Sequence, residues 1–300
     1  LADSDARQQS REWSTPVLIG NEISTASNDG CQFLSLDGKS LYVASNRTIE
    51  DVSQGGMDLY VSERNSTRDA FVTMVPLGPI VNSNKNDICP ALSHDGHYLF
   101  FASERDGGCG NRDIYVAYRA DIHDNFSWQT PRNLGCVADG GINTDKVEQG
   151  PSYYRDDQGN NYIYFSSDYN YDGQSEGGHD IWYFRVVNDA PSGAVLHEDA
   201  LSSSANEYRP YIRFDGLEAV FDTDRIGDPQ GGKDDIWTAT RKNPDRPFTE
   251  PTWVTNVNTS FNERRATMNR IGSELYITSD RPGPGSQDVY LSTRRVEDEN

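Results

Sequence analysis

The sequence has no apolar run long enough to cross a membrane as a helix, which argues against a membrane-spanning protein. It is poor in positive charge: 27 Lys and Arg stand against 47 Asp and Glu, a net charge of −20. A phosphate backbone demands a positive field, so nucleic acid is not an expected partner. The four cysteines, Cys31, Cys89, Cys109 and Cys136, contain no CxxC spacing, and no pair of the five histidines has zinc-ligand spacing. Serine-nucleophile motifs, phosphate loops and dinucleotide fingerprints are missing too. Residues 1–10, LADSDARQQS, lack a basic segment leading into an apolar core. Either a leader has been removed or the chain is cytoplasmic. An even cysteine count in an acidic, turn-rich chain favours an oxidising compartment, hence a secreted or periplasmic protein.

What is present is a repeat. Ser93–Arg119 contains a His94-Asp95-Gly96 turn, a short apolar run Tyr98–Ala102, a Gly-rich break and a second strand starting at Asp113. The unit recurs at Ser35–Arg64, Arg155–Arg185, Phe214–Arg241 and Arg270–Arg294. Its second-strand aspartates, Asp58, Asp113, Asp180, Asp235 and Asp288, return with a period of roughly 55 residues. An aromatic follows each by two residues: Tyr60, Tyr115, Trp182, Trp237 and Tyr290.

Between copies lies a Trp- and Pro-containing segment, as in Phe126–Gly135, that reads as an outer strand. An Asn-Thr pair, an acid and an inner strand follow it. Each repeat therefore predicts four antiparallel strands, and tandem four-stranded sheets describe a β-propeller. The fifth copy ends after its third strand, while Glu12–Gly20 matches the outer-strand pattern without a hairpin of its own. That segment is expected to complete the last blade and close an all-β, five-bladed ring. One domain over 1–300 is expected, with blades near 21–78, 79–135, 136–198, 199–256 and 257–294 plus the strand at 12–20. The S-x-D-G…G-G-x-D-I-Y repeat resembles the WD40-like propeller repeats of the TolB type across essentially the whole chain. Its junction Asn206-Glu207-Tyr208-Arg209-Pro210 looks most like copies in bacterial envelope proteins.

This strand order places one acid per blade, Asp29, Asp87, Glu148, Glu207 and Glu263, around one mouth of the central channel. They are the candidate acids if the chain is a hydrolase, since glycoside hydrolysis needs two carboxylates. The alternative is that a repeated acid is structural and bonds backbone N–H groups. Departures from the repeat are more informative. Tyr208-Arg209 and Arg264-Arg265 follow the acids of the last two blades and could hold an acidic ligand or neutralise the acid ring. Tyr169 in the third blade replaces the arginine that ends the second strand elsewhere, at Arg47, Arg105, Arg225 and Arg281. Tyr169, Tyr171 and Tyr208, with Tyr153 and Tyr154, are candidates for stacking on a sugar.

The third blade's loop, Asp168, Asn170, Asp172, Glu176 and Asp180, has the D-x-N-x-D-G spacing of calcium loops, so calcium is the one cofactor expected, and no organic one. An ordinary polar loop is the alternative. Ring geometry pairs Cys109 with Cys136 and Cys31 with Cys89, against four buried thiols. The leading expectation is a monomeric binding module that takes a glycan or a cell-envelope partner on its top face, without enzymatic activity. The alternatives are a glycoside hydrolase using carboxylates around the channel, and a protein-interaction scaffold.

Overall fold

Every copy of the repeat folds into a four-stranded antiparallel sheet in a computed structural model that describes residues 12–50, 52–226 and 233–296. After β1 (Val17–Leu18), the first blade is β2 (Asp29–Leu34), β3 (Ser40–Ser45), β4 (Asp58–Glu63) and β5 (Val75–Pro76). The second is β6 (Asp87–Leu92), β7 (Tyr98–Ser103), β8 (Asp113–Tyr118) and β9 (Arg132–Asn133). The third is β10 (Glu148–Arg155), β11 (Asn161–Ser167), β12 (Asp180–Val187) and β13 (Ala190–His197). The fourth is β14 (Glu207–Ile212), β15 (Glu218–Thr223), β16 (Asp235–Thr240) and β17 (Thr252–Trp253). In the fifth, β18 (Glu263–Met268), β19 (Glu274–Ser279) and β20 (Asp288–Thr293) are completed by β1, with Val17 opposite Leu291 and Leu18 opposite Tyr290. The innermost strands β2, β6, β10, β14 and β18 touch in turn, and β18 returns to β2. The chain is a five-bladed β-propeller closed by its N-terminal strand.

Sandwiching between neighbours explains the apolar runs. In β3 and β7 the residues after the first are buried on both faces, because each sheet packs against a blade on either side. The Asp-Gly turns carry Gly38, Gly96 and Gly216 at φ near +75°, where a side chain would be strained. The Asn of the junction, followed by Thr in two blades and by Ser83 in the first, also has a structural reason. The amides of Asn82, Asn143 and Asn258 pair with both backbone groups of Leu59, Ile114 and Ile236. They bridge each outer segment to the third strand of its blade.

Two features differ from the sequence pattern. Outer strands in four blades are only two residues long, and Pro16, Pro131 and Pro251 stand just before three of them, where a missing N–H ends the ladder. In the third blade the outer strand runs eight residues, set off by a turn with Asn188 and Asp189 both at positive φ, the two-residue hairpin geometry. Both expected disulfides form, Cys31–Cys89 and Cys109–Cys136, with Cα atoms 4.7 and 5.5 Å apart. The Gly-rich loop of the fourth copy, 227–232, falls outside the described residues.

Candidate active site

The five repeated acids begin the innermost strands, and each is fully buried. Each carboxylate accepts the backbone N–H and the side-chain hydroxyl of the residue four positions earlier: Thr25, Ser83, Thr144, Ser203 and Thr259. In four blades a guanidinium clamps the same carboxylate at 2.7–2.9 Å: Arg47 on Asp29, Arg105 on Asp87, Arg225 on Glu207 and Arg281 on Glu263. The same arginines also reach a carbonyl at Ile23, Val81, Leu201 and Val257. With their lone pairs engaged and no exposed surface, these acids tie each blade together and are not presented to a ligand.

The third blade solves the same problem differently. Tyr169 stands in the arginine's place, and Tyr171 reaches inward, its hydroxyl 2.7 Å from the Ile142 carbonyl and 3.3 Å from Glu148 Oε1. One hydroxyl thus contacts both groups that a guanidinium contacts elsewhere. It brings no positive charge, and burial pushes Glu148 up to about 7 against the bonds from Thr144 and Ser167.

Two residues beyond each acid the backbone turns left-handed. Cys31, Cys89, Gly150, Arg209 and Arg265 lie at φ between 48 and 61°, inside a bulge of each innermost strand. These five positions line one mouth of the channel around a cavity of about 30 Å³, space for little more than a water. The first two positions are joined by their disulfide. Arg209 forks onto Asp222, with Nε 3.1 Å from Oδ1, and Arg264 pairs with Asp234. The arginines after the acids therefore neutralise Asp222 and Asp234, while the acid ring takes its charge from the strand-end arginines. Among the described residues Arg265 has no acid partner; its backbone N–H donates to Asp222 Oδ1 and its Nε is buried without an acceptor. Tyr208 sits beside them, 4.8 Å from the His179 ring and 5.0 Å from the Arg209 guanidinium. Tyr208, Arg209, Arg264 and Arg265 are brought together; Tyr169 and Tyr171 pack edge to face on the third blade's loop.

That loop does not gather its oxygens. Asp168 Oδ1 accepts Val147 N–H, Asn170 Oδ1 accepts Gly173 and Ser175 N–H, Asp172 Oδ1 accepts Gln174 N–H, and Asp180 Oδ2 accepts Glu176 N–H. Glu176 is exposed. Among the described residues no three His, Cys, Asp or Glu side chains converge on a point that could hold a metal.

A different site was not anticipated. Between the third and fourth blades opens a cleft of about 590 Å³, walled by Tyr154, Tyr162, Tyr164 and Tyr183 and flanked by Arg241 and the Pro244–Pro247 loop. Tyr164 stacks on Tyr183 at 5.0 Å and Tyr154 on Tyr162 at 6.3 Å. Glu198, just after β13, lines the cleft half-buried. Burial pushes its carboxyl up to about 7, although Arg241 pulls it down. Asp156, from the β10–β11 turn, lines the same cleft. Burial raises it, but bonds from Asn160, Gln158 and the Tyr162 hydroxyl outweigh that and hold it below the ordinary carboxylate range. Of these residues only Tyr154 stood out in the sequence. The available signal was the period-two placement of Tyr162 and Tyr164 on β11, with Tyr183 opposite Tyr164, which gives one sheet face an aromatic surface.

No family model matches the sequence, and no curated protein matches it. Solved structures do. The chain is similar to the endo-arabinase from Bacteroides thetaiotaomicron (14% identity, 94% of this chain and 98% of that one, TM-score 0.60). It is similar to the α-L-arabinofuranosidase from Podospora anserina (12% identity, 96% and 98%, TM-score 0.58). An endo-arabinanase from Bacillus licheniformis matches at 12% identity over 94% and 97%, TM-score 0.58. At such identities the likeness is one of fold. The leading expectation of a binding module is corrected to this extent: these three neighbours, alike in fold nearly end to end, are named as arabinanases and an arabinofuranosidase, which favours the hydrolase alternative over it.

Proposed function

We propose that the protein is a glycoside hydrolase whose acid–base pair, Glu198 and Asp156, works in the tyrosine-walled cleft between the third and fourth blades. The observation that carries this reading is the opposite displacement of two carboxyls in one cleft, Glu198 raised to about 7 and Asp156 lowered. Carboxyl pairs whose surroundings push their affinities for protons apart are the working parts of acid–base catalysis. Glu198, protonated near neutral pH, gives its proton to the departing glycosidic oxygen as the C–O bond breaks. Asp156 stays ionised and supports the developing positive charge at the anomeric carbon. Water then supplies the hydroxyl that completes the sugar, and its proton restores the acid. Tyr162 and Tyr183, half-buried, are the rings left to meet a sugar, with Tyr154 and Tyr164 buried behind them.

Full-length likeness of fold to enzymes named as arabinanases and arabinofuranosidases supports the same class and makes arabinosides the first substrates to try. The TolB-like repeat bears on blade design alone. Two disulfides support a secreted or periplasmic site of action. The cleft is complete within one chain, so a single five-bladed domain acting as a monomer suffices. The test is a panel of aryl glycosides and oligosaccharides, α-L-arabinofuranosides first, assayed with wild type and Glu198→Gln. Turnover by wild type that falls by about 10²–10⁴ in kcat in the variant is expected. A panel left intact by wild type, or hydrolysis indifferent to Glu198, would reject the proposal.

A further inference from the structure

We propose that the channel mouth at Arg265 is a binding site for a single carboxylate, the one carried by a uronic acid residue being the ligand that its surroundings suit best. Four arginines gather at this end of the channel. Arg112 pairs with Glu104 and donates to Gln149, Arg209 pairs with Asp222, and Arg264 pairs with Asp234. Arg265 is the remaining one. Asp222, the nearest acid, already accepts the Arg209 fork and the Arg265 backbone N–H, so it has little capacity left for the Arg265 guanidinium. The Nε of Arg265 is buried with no acceptor.

An unpartnered buried donor on a cation is costly, and here the cost is visible: burial, with Arg209 alongside, pulls the Arg265 guanidinium down to about 9. The backbone at Arg265 is left-handed as well, at φ 59°. A charged group kept in such a place needs a reason, and an anion completes its bonding. One uncompensated cation calls for a monoanion, because a dianion would leave new charge unbalanced in a chain of net charge −20. A guanidinium edge matches a carboxylate with two parallel hydrogen bonds.

Space points the same way. The cavity of about 30 Å³, little larger than a water needs, excludes a sugar ring and would admit a carboxylate oxygen-first. Gly150 lets Arg209 close onto the rim of the cavity, since a Cβ there would lie 2.5 Å from Arg209 Cγ. The ring bearing the carboxylate would lie outside, where Tyr208 is half-buried beside Arg209. This site is separate from the Glu198 cleft, so its fate does not depend on hydrolysis.

Isothermal titration of wild type with sodium glucuronate, acetate, sulfate and uncharged glucose tests the idea. Glucuronate is expected to bind with a Kd of about 1 mM or tighter and glucose not to bind here. Arg265→Gln should weaken glucuronate at least about tenfold, Arg265→Lys less, because it keeps the charge and loses the fork. Lys85→Ala, which removes an exposed positive charge, should leave binding at the wild-type level. Acetate binding as tightly as glucuronate would support the carboxylate site with a small acid as its source. Sulfate binding more tightly than either carboxylate, the absence of carboxylate binding, or full binding in both Arg265 variants would overturn it.

Discussion

The third blade and its four siblings share one scaffold and differ in how they treat a buried acid. In the siblings an arginine that ends the second strand neutralises the acid and ties it to a carbonyl of the preceding junction. In the third, a tyrosine hydroxyl makes both contacts without charge. The difference shows that the repeat conserves a bonding geometry and not a residue type. It also leaves the third blade's loop and outer strand free to depart from the pattern, and that blade supplies the Tyr wall, Glu198 and Asp156 of the cleft.

The sharpest way to break this comparison is to strip a sibling of its cation. Arg225→Met leaves Glu207 buried and unpaired, and should cost about 3–5 kcal/mol in urea unfolding. A loss under about 1 kcal/mol would mean that the siblings also hold a neutral acid.

The third blade is expected to announce itself through pH. Glu148 has a native value of about 7 against an ordinary 4.5, so the folded chain keeps a proton that the unfolded chain releases between those values. Its contribution is greatest below pH 4.5, declines as pH rises to about 7, and then levels off. The span amounts to about 3 kcal/mol. Glu148→Gln should remove that part of the slope, read as the difference between the two unfolding profiles. Parallel profiles for wild type and variant would show that Glu148 is ionised like any surface carboxylate.

A smaller effect is expected from Gly150→Ala. The third blade has glycine where its siblings have side chains, and an added Cβ meets Arg209 at φ 61°. A loss of about 1–3 kcal/mol should appear in thermal unfolding; an unchanged melting temperature would mean that Arg209 yields without cost. Least of all, Tyr171→Phe removes one hydroxyl shared between a carbonyl and an acid, worth about 1 kcal/mol. If it cost as much as Arg225→Met, the tyrosine would be a full electrostatic equivalent of the arginine.

How much of this was legible depends on whether a feature is carried by the repeat. The recurring Asp-x-aromatic and Asp-Gly signals define blade number and strand order, and the orphan outer strand at 12–20 dictates closure. The disulfides were readable because Cys31 and Cys89 hold equivalent places on adjacent inner strands. The partners of Arg209 and Arg264 were not readable, because the bulge two residues after each acid redirects side chains in a way that spacing does not encode. Calcium spacing around Asp168 does not by itself say where the oxygens point: Asn170 and Asp172 turn theirs onto backbone N–H groups of their own loop. The cleft was hidden for a third reason. Its tyrosines alternate as core strand residues do, and Glu198 takes the place that Ile19, Leu77, Leu134 and Val254 hold in the other blades, each bonding the third strand through its N–H, so nothing in the repeat marks that place for an acid.

The left-handed residue in each innermost strand has a consequence for how such a molecule changes over time. Five equivalent sockets, filled here by two cysteines, a glycine and two arginines, face one axis on a backbone held by the blades behind them. Because the acid and its clamp sit two residues away and do not involve the socket's side chain, one codon per blade can rewrite the chemistry of the axis while the wheel keeps its shape. The ring is in that sense a holder with interchangeable tips.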